Sequence, residues 1–492
     1  MDSRTLFGTA DILAATAGSL YSRRVVAAQA RGVRGELPAD RAGEVQSVVI
    51  DSRTAVPGSL FVALHGERTD GHFFVEDAMQ RGALLCLVDR KFVEENEEKI
   101  LALTTRYGER IIAVRDTLEA LQNLARFHMR RLAGVVTIGV TGSTGKTTTK
   151  EILGSVLLRD TPGFMNQGNL NSEIGLPLST FSVKTGHRYA IFEMGINHQG
   201  EMDILADIVH PDVAVITNIG LAHVGFLGSQ DGIAAEKKRI FSHFDGGQTG
   251  FVWEDEPYFA FLSAGVNGRV VPYGARTTPG YSGSESRGLD GWALSLDGRR
   301  VKLPLVGAHN LINALCAVSV ARLLGIGSAQ LHAGLEAVQP LPGRGRVIRG
   351  PITIVEDSYN ANPEAFVRAV AFLRDLPWDR GRKIIVAGSM KELGAASAEA
   401  HRSVGKIIRA STADAAFLFG EEMEEAYRVL DVSTMRAFWT ADFEVLKQSL
   451  REYVASGDIL LLKGSRAVAL ERLIPALQET VSPSPASGGP EC

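Results

Sequence analysis

Thr141-Gly142-Ser143-Thr144-Gly145-Lys146-Thr147-Thr148 is the stretch that decides the fold of this chain. The run Val135 to Val140 before it reads as a buried strand. The segment after it, with Ile152, Leu153, Val156 and Leu157 on one face, reads as an amphipathic helix. A glycine-rich turn between strand and helix lets backbone N–H groups converge on a polyphosphate at the positive helix end. In that geometry Gly142 through Thr148 form the phosphate loop, Lys146 reaches the β/γ-phosphates, and the Thr147 hydroxyl holds Mg²⁺. Val140 stands where the general pattern has its first glycine, so the loop is the shortened form. A tight glycine turn beside a surface lysine is the competing reading, and the flanking strand and helix disfavour it. The stretch predicts a nucleoside triphosphate site.

Outward from the loop, three blocks emerge. Leu118 to Leu132 reads as a helix and Ala133-Gly134 as a break, so residues 1–133 form a smaller α/β N-terminal block. Residues 134–338 form a central block on a P-loop-type parallel sheet, ending in a helix from Leu311 to Leu324 stopped by Gly325. Gly280 to Arg300, rich in glycine, serine and charge, reads as a surface excursion or small hairpins. After Pro340-Leu341-Pro342-Gly343, residues 339–480 alternate strands and helices as a Rossmann-like sheet would. Residues 481–492, with Ser482-Pro483-Ser484-Pro485, read as a disordered tail. The expected class is α/β in three domains.

The 492 residues allow about three domains on size alone. Hydrophobic residues make up 45% and charged residues 22%, enough to build sizeable cores. A net charge of −4 without a basic stripe argues against nucleic acid as the main partner. Cys86, Cys316 and Cys492 lie far apart, the first two in apolar runs that suit reduced core thiols. The opening residues show no signal-peptide pattern, and no apolar run approaches the ~20 residues of a membrane span. The expected compartment is the cytoplasm, with no stable membrane insertion and a monomeric chain.

Ligands of open α/β sheets sit beyond the carboxyl ends of the strands. Polar residues recur there. Tyr189 to Phe192 runs into Glu193, and Val213 to Ile216 into Thr217-Asn218 and then His223. Ile352 to Val355 runs into Glu356-Asp357-Ser358, Lys383 to Val386 into Ala387-Gly388-Ser389, and Ile459 to Leu462 into Lys463-Gly464-Ser465-Arg466. Read alone, Glu193 is more readily a solvated strand end than a metal ligand, and His223 more readily a packed loop histidine. The economical architecture is two parallel-sheet domains facing an ATP-filled cleft.

The phosphate loop resembles that of the Mur ligases, the ATP-dependent amino-acid ligases of bacterial cell-wall synthesis. Further segments are similar to the branch of that family that adds D-alanyl-D-alanine. They are Asn169-Leu170-Asn171 with Ile174-Gly175-Leu176-Pro177-Leu178, Glu193-Met194-Gly195-Ile196-Asn197-His198-Gln199-Gly200-Glu201, Asp357-Ser358-Tyr359-Asn360-Ala361-Asn362-Pro363, and Lys463-Gly464-Ser465-Arg466. Asp51-Ser52-Arg53, Gly58 to Leu64 and Asp70-Gly71-His72 resemble the family's uridine-nucleotide-binding domain. The resemblance implies a bacterial, cytoplasmic ligase joining D-alanyl-D-alanine to a UDP-N-acetylmuramoyl tripeptide, whose third residue is meso-diaminopimelate or lysine. It also implies ATP as substrate and two Mg²⁺ ions, held by Thr147, Glu193, His223 and a carbamylated Lys237. Lys146, Lys237, His223 and Glu193 become the catalytic set. Asn310, Arg344 and Asp357 become further nucleotide contacts, and Ser52, Arg53, Asn169, Asn171 and His198 substrate contacts. Capping of its helix is the structural reading for Asn310.

Several positions depart from the family pattern. Arg239 stands where a glutamate is usual, and the adjacent Lys238 leaves a one-residue alternative for the modified lysine. Trp253, in Trp253-Glu254-Asp255-Glu256-Pro257, replaces an asparagine. Ser389 replaces an aspartate, Ser172 an asparagine and Leu470 a methionine. Three rival functions follow from the same residues: the diamino-acid-adding Mur ligase, a folylpolyglutamate synthetase-like ligase, and a non-catalytic nucleotide switch. The first would carry an Asp-Asn-Pro-Arg run, absent here; the second lacks the N-terminal block; the third needs no second metal site.

Overall fold

The computed structural model describes residues 5–21, 43–66, 69–221, 224–430 and 435–480. Packing gathers the chain into two compact units. One holds the described residues up to Gly139 with Thr161–Ile196 and Gly200–Asp212. The other holds Val140–Asp160, Asn197–Gln199 and everything described from Val213 onward. The expected tail at 481–492, and Cys492 in it, lie outside the described residues.

In the first unit, β1 (Ser19–Leu20), β2 (Ser47–Val49), β3 (Ser59–Val62), β4 (Leu85–Asp89) and β5 (Ile111–Val114) form a sheet in the order β1-β5-β4-β3-β2. Only β1 runs antiparallel, against β5. β3, β4 and β5 are buried at every position, as strands of a parallel sheet covered on both faces must be. Helix Thr117–Arg130 begins where Asp116 accepts from the Glu119 N–H at 2.8 Å. Cys86 is a buried free thiol in this core.

The central sheet has the order β11-β10-β9-β6-β8-β7. Its strands are β6 (Val136–Thr141), β7 (Gly163–Met165), β8 (Tyr189–Glu193), β9 (Val213–Ile216), β10 (Thr249–Trp253) and β11 (Arg269–Tyr273). The phosphate loop leaves β6 and enters helix Lys146–Leu157, whose Ile152, Leu153, Val156 and Leu157 are fully buried, as the periodicity predicts. The glycine- and serine-rich excursion is a three-stranded antiparallel sheet of β12 (Tyr281–Ser286), β13 (Trp292–Leu296) and β14 (Arg299–Leu303). The following helix starts at Ala308 rather than Leu311, and a further helix, Ser328–Ala337, succeeds it. The sequence reading stopped one helix early because Gly325 ends one helix while Gly327-Ser328 opens the next.

The C-terminal sheet runs β15-β16-β20-β17-β18-β19, parallel except for β15. Its strands are β15 (Arg346–Ile348), β16 (Thr353–Asp357), β17 (Lys383–Gly388), β18 (Ala415–Phe419), β19 (Arg436–Thr440) and β20 (Ile459–Lys463). Alternate strand residues feed two cores. Val355, Ile385, Leu418 and Leu461 face one layer of helices, and Ile354, Val386, Phe417 and Leu462 the other. Register sets Asp357 beside Lys463 and Lys463 beside Ala387, so three strands end together. Among the described residues no helix is long and apolar enough to cross a membrane.

Helix Pro363–Asp375 starts at one of those ends. Asn362 caps it, accepting from the Ala365 N–H at 2.8 Å, and Pro363 fills its first turn. Asn362→Ala is expected to lower stability by about 1 kcal/mol. Serine at the same position should recover most of that loss. The denaturant midpoint of the C-terminal transition in the full chain measures both.

Candidate active site

Two glycines set the shape of the phosphate loop. Gly142 has φ +147°, and a Cβ there would lie 1.8 Å from the Thr217 hydroxyl. Gly145 has φ +82°, and its Cβ would lie 2.7 Å from the Asn313 amide oxygen. Only glycine lets the backbone come this close. The loop apex is bound to the segment after β9. Thr144 N–H donates to Asn218 Oδ1 at 3.1 Å, Asn218 Nδ2 donates to Thr144 Oγ1 at 2.9 Å, and Gly220 N–H donates to Ser143 Oγ at 2.8 Å. Lys146 extends from the first helical turn with its ammonium on the Gly142 carbonyl at 2.8 Å. Thr147 is buried in that same turn.

Glu193 closes β8 and is buried. Asn171 Nδ2 donates to its Oε1 at 2.8 Å, while Asn166 takes the Glu193 N–H at 2.8 Å and donates to the Glu193 carbonyl at 3.1 Å. Asn171 thus orients the carboxylate, and Asn166, which the motif reading missed, fixes the strand end. Asn169 is exposed in the same turn. His223, the expected fourth metal ligand, lies outside the described residues. His198 is exposed, with its ring edge-on to Phe226 at 5.0 Å.

Lys237 and Lys238 are separated by burial. The Lys237 side chain is buried on helix Gln230–Lys238. Removal from water pushes its ammonium well below the usual lysine range, the nearby Lys146 charge adds to the push, and Glu236 opposes it. Lys238 instead donates to the Phe261 and Ala264 carbonyls at 2.8 and 2.6 Å, closing the end of helix Phe259–Ser263. Arg239, at the position where a glutamate is usual, lies 3.7 Å from Glu236.

Asn310 is not a helix cap. It sits inside the helix that begins at Ala308, buried, donating to the Val306 carbonyl at 2.8 Å and accepting from Asn313 at 3.1 Å. The shift arises because Gly307, at φ +86°, makes the turn into the helix three residues earlier. Asn313, which the motif reading passed over, is the member of the pair that abuts Gly145.

On the C-terminal sheet, Lys463 is buried and holds Asp357 Oδ2 at 2.9 Å and the Asn360 carbonyl at 2.7 Å. The Arg344 guanidinium sits over the Tyr359 ring, 4.0 Å from its centre. Burial pushes the His309 imidazole down to about 4, against the pull of the Asp357 carboxylate, so it stays neutral. From helix Pro363–Asp375, Arg368 Nη1 donates to Thr144 Oγ1 at 2.7 Å, and Glu364 Oε1 accepts from Leu221 N–H at 3.0 Å. No sequence motif marks either residue.

In the N-terminal sheet, Asp51 caps a short turn over Ser52–Thr54 and holds the Arg53 side chain at 2.6 Å. Hydrogen bonds from Arg53 lower the Asp51 carboxyl to about 2. Asp51 thus closes its own turn, with Ser52 buried and Arg53 exposed. Asp70-Gly71-His72 ties the loop after β3 to the end of β4. His72 Nδ1 meets Asp70 at 2.6 Å and its Nε2 accepts from Asp89 N–H at 3.0 Å. His65 lies against Asp89 at 2.7 Å. Both nitrogens of His72 are taken by the protein, so this His65-His72-Asp89 group is a structural tie.

Comparison with known proteins gives three family matches along the chain. The model for the Mur ligase family catalytic domain matches residues 44–129, the Mur ligase middle domain residues 140–321, and the Mur ligase glutamate ligase domain residues 343–466. A UDP-N-acetylmuramoyl-tripeptide–D-alanyl-D-alanine ligase of Treponema pallidum is 41% identical over 92% of this chain and 95% of its own length. The chain belongs to the Mur ligase family. Among solved structures, a MurF of Acinetobacter baumannii superposes with TM-score 0.82 at 29% identity, covering 96% of this chain and 99% of its own. A Thermotoga maritima MurF ligase in complex with ADP gives 0.76 at 30% identity, covering 88% and 97%. Mur ligase membership makes the loop at Gly142–Thr148 the natural place to test nucleotide binding. Gly142→Ala should remove calorimetrically detectable ATP binding, because its methyl group collides with Thr217 at a backbone angle that alanine avoids. Wild-type affinity in that variant would mean that this loop does not carry the phosphates.

Proposed function

We propose that this chain is an ATP-dependent ligase joining D-alanyl-D-alanine to the terminal carboxylate of a UDP-N-acetylmuramoyl tripeptide in peptidoglycan precursor synthesis. The observation that carries the proposal is its end-to-end likeness to ligases of that name, over a phosphate loop held in shape by Gly142 and Gly145. Residues 1–133 would take the uridine nucleotide, residues 134–338 the ATP, and residues 339–480 the incoming amine. Buried free thiols at Cys86 and Cys316 fit a reducing cytoplasm, where ATP is also found.

A carboxylate is a poor electrophile, and phosphorylation cures that. One carboxylate oxygen bonds to the γ-phosphorus as the bond to the bridging oxygen of ADP breaks. The amine of D-alanyl-D-alanine then adds to the acyl carbon, loses a proton, and phosphate leaves. Lys146, the loop amides and the start of helix Lys146–Leu157 stabilise negative charge on the phosphoryl group. Arg344 would serve the phosphates and Asp357, at the end of β16, the ribose.

The donor set suits magnesium, a hard ion that takes oxygen ligands: the Thr147 hydroxyl, the buried Glu193 carboxylate, and oxygens that carbamylation would add to Lys237, joined by His223. Magnesium bound there would supply positive charge to the phosphoryl oxygens. Lys237 is suited to the modification because burial favours its neutral amine, the form that attacks CO₂. The product is an anionic carbamate and one released proton. That anion would relieve the repulsion between Lys237 and Lys146.

Two measurements test the proposal. With UDP-tripeptide present, purified protein should release ADP when given D-alanyl-D-alanine. It should release little with single diamino acids and UDP-dipeptide; the reverse preference identifies the third-residue ligase. Lys237→Ala should lose activity that formate or acetate partly restores, by supplying the missing oxygens. Lys238→Ala should remain active, since that side chain only closes a surface helix. Full activity in Lys237→Ala would rule out the carbamate.

A further inference from the structure

Glu364 and Arg368 lie four residues apart, and therefore on one face, of helix Pro363–Asp375. That face rests on the two segments that shape the phosphate site. Glu364 holds the Leu221 N–H at 3.0 Å, and its carboxylate lies so close to Gly220 that a Cβ there would come within 3.3 Å of it. Arg368 holds the Thr144 hydroxyl oxygen at 2.7 Å. Burial pushes its guanidinium below the usual arginine range, and Glu364 and Glu256 oppose that push. The Thr144 hydroxyl oxygen also accepts from Asn218 Nδ2 at 2.9 Å. A hydroxyl has two lone pairs and one proton. With Arg368 and Asn218 occupying both lone pairs, Thr144 can act only as a donor, and the phosphate loop receives an acceptor when a nucleotide phosphate enters.

We infer that Arg368 is a positioning residue for ATP: from the C-terminal sheet it orients the Thr144 proton toward the nucleotide phosphates and so ties triphosphate binding to the docking of that sheet. This rests on the ATP-dependent ligase reading given above. Arg368 acts through Thr144, so removing either partner should produce the same defect. Glu364 grips a different strip of backbone and sets the helix in place without touching the phosphate loop.

The experiment is a double-substitution cycle on the full-length protein. Arg368→Met should raise KM for ATP about tenfold, the order expected for losing one charge-assisted hydrogen bond. KM for the UDP-tripeptide and for D-alanyl-D-alanine should stay as in the unaltered protein. Thr144→Val should behave alike, and the double variant should be no worse than Thr144→Val alone. Arg368→Gln, which keeps a donor without the charge, should fall between the two and replaces Arg368→Met should that variant not fold. An unchanged KM for ATP, a rise in all three KM values together, or additive effects in the double variant would each overturn the inference. Calorimetric ATP binding to the same variants separates this inference from the ligase reading. If the unaltered protein releases no ADP with any amine, the reading fails, while a tenfold weaker ATP affinity in Arg368→Met still supports the role of Arg368. Equal ATP affinity in that case refutes it.

Discussion

The bonding between Ser143-Thr144 and Asn218-Gly220 is the constraint on which the site depends. Phosphate loops bind by presenting backbone N–H groups, and a loop with glycines at positive φ has too much freedom to do so unaided. Here the post-β9 segment removes that freedom. Asn218 meets Thr144 through both its amide oxygen and its amide nitrogen, and Ser143 meets Gly220. Thr217 fills the space beside Gly142 that a side chain would need. Anything that moves the post-β9 segment therefore moves the phosphate loop, and helix Pro363–Asp375 holds both.

Buried charges around this frame follow one logic, in which each is given a specific partner or is discouraged from being charged. Lys463 gains the Asp357 carboxylate and two carbonyls, so it stays paired at a strand end where the nucleotide is expected. Glu193 is pinned by Asn171 at its carboxylate and by Asn166 at its backbone. Lys237 is treated the other way: burial and Lys146 both oppose its charge. A lysine kept short of protons is a nucleophile in waiting, which is what carbamylation needs.

Legibility in the sequence tracks how local the determining interaction is. The strand, loop and helix around Gly142–Thr148 were readable because glycine spacing and apolar periodicity are properties of adjacent residues. The strand-end polar residues of the C-terminal sheet were readable because each follows a short apolar run. Capping, the structural reading for Asn310, does not hold, because Gly307 rather than Asn310 makes the turn into the helix. Lys237 was preferred to Lys238 on the family pattern; what distinguishes the two side chains in the structure is burial, which is tertiary. Arg368 was invisible for the same reason carried further: its partner Thr144 is 224 residues away.

Ser389 stands where the family pattern usually has an aspartate, and an ion pair lies beside it. Glu422, beyond the end of the neighbouring strand β18, pairs with the Lys391 ammonium. Burial opposes its charge, but hydrogen bonds from Lys391 and Ser389 hold Glu422 down to about 2. The Lys391 backbone N–H is fixed separately, by the Ser465 hydroxyl at 3.0 Å. Gly420 leaves room for the Ser389 side chain, since a Cβ there would lie 2.3 Å from its hydroxyl. The result is a lysine neutralised by one carboxylate beside Ser465, joining the ends of β17 and β18.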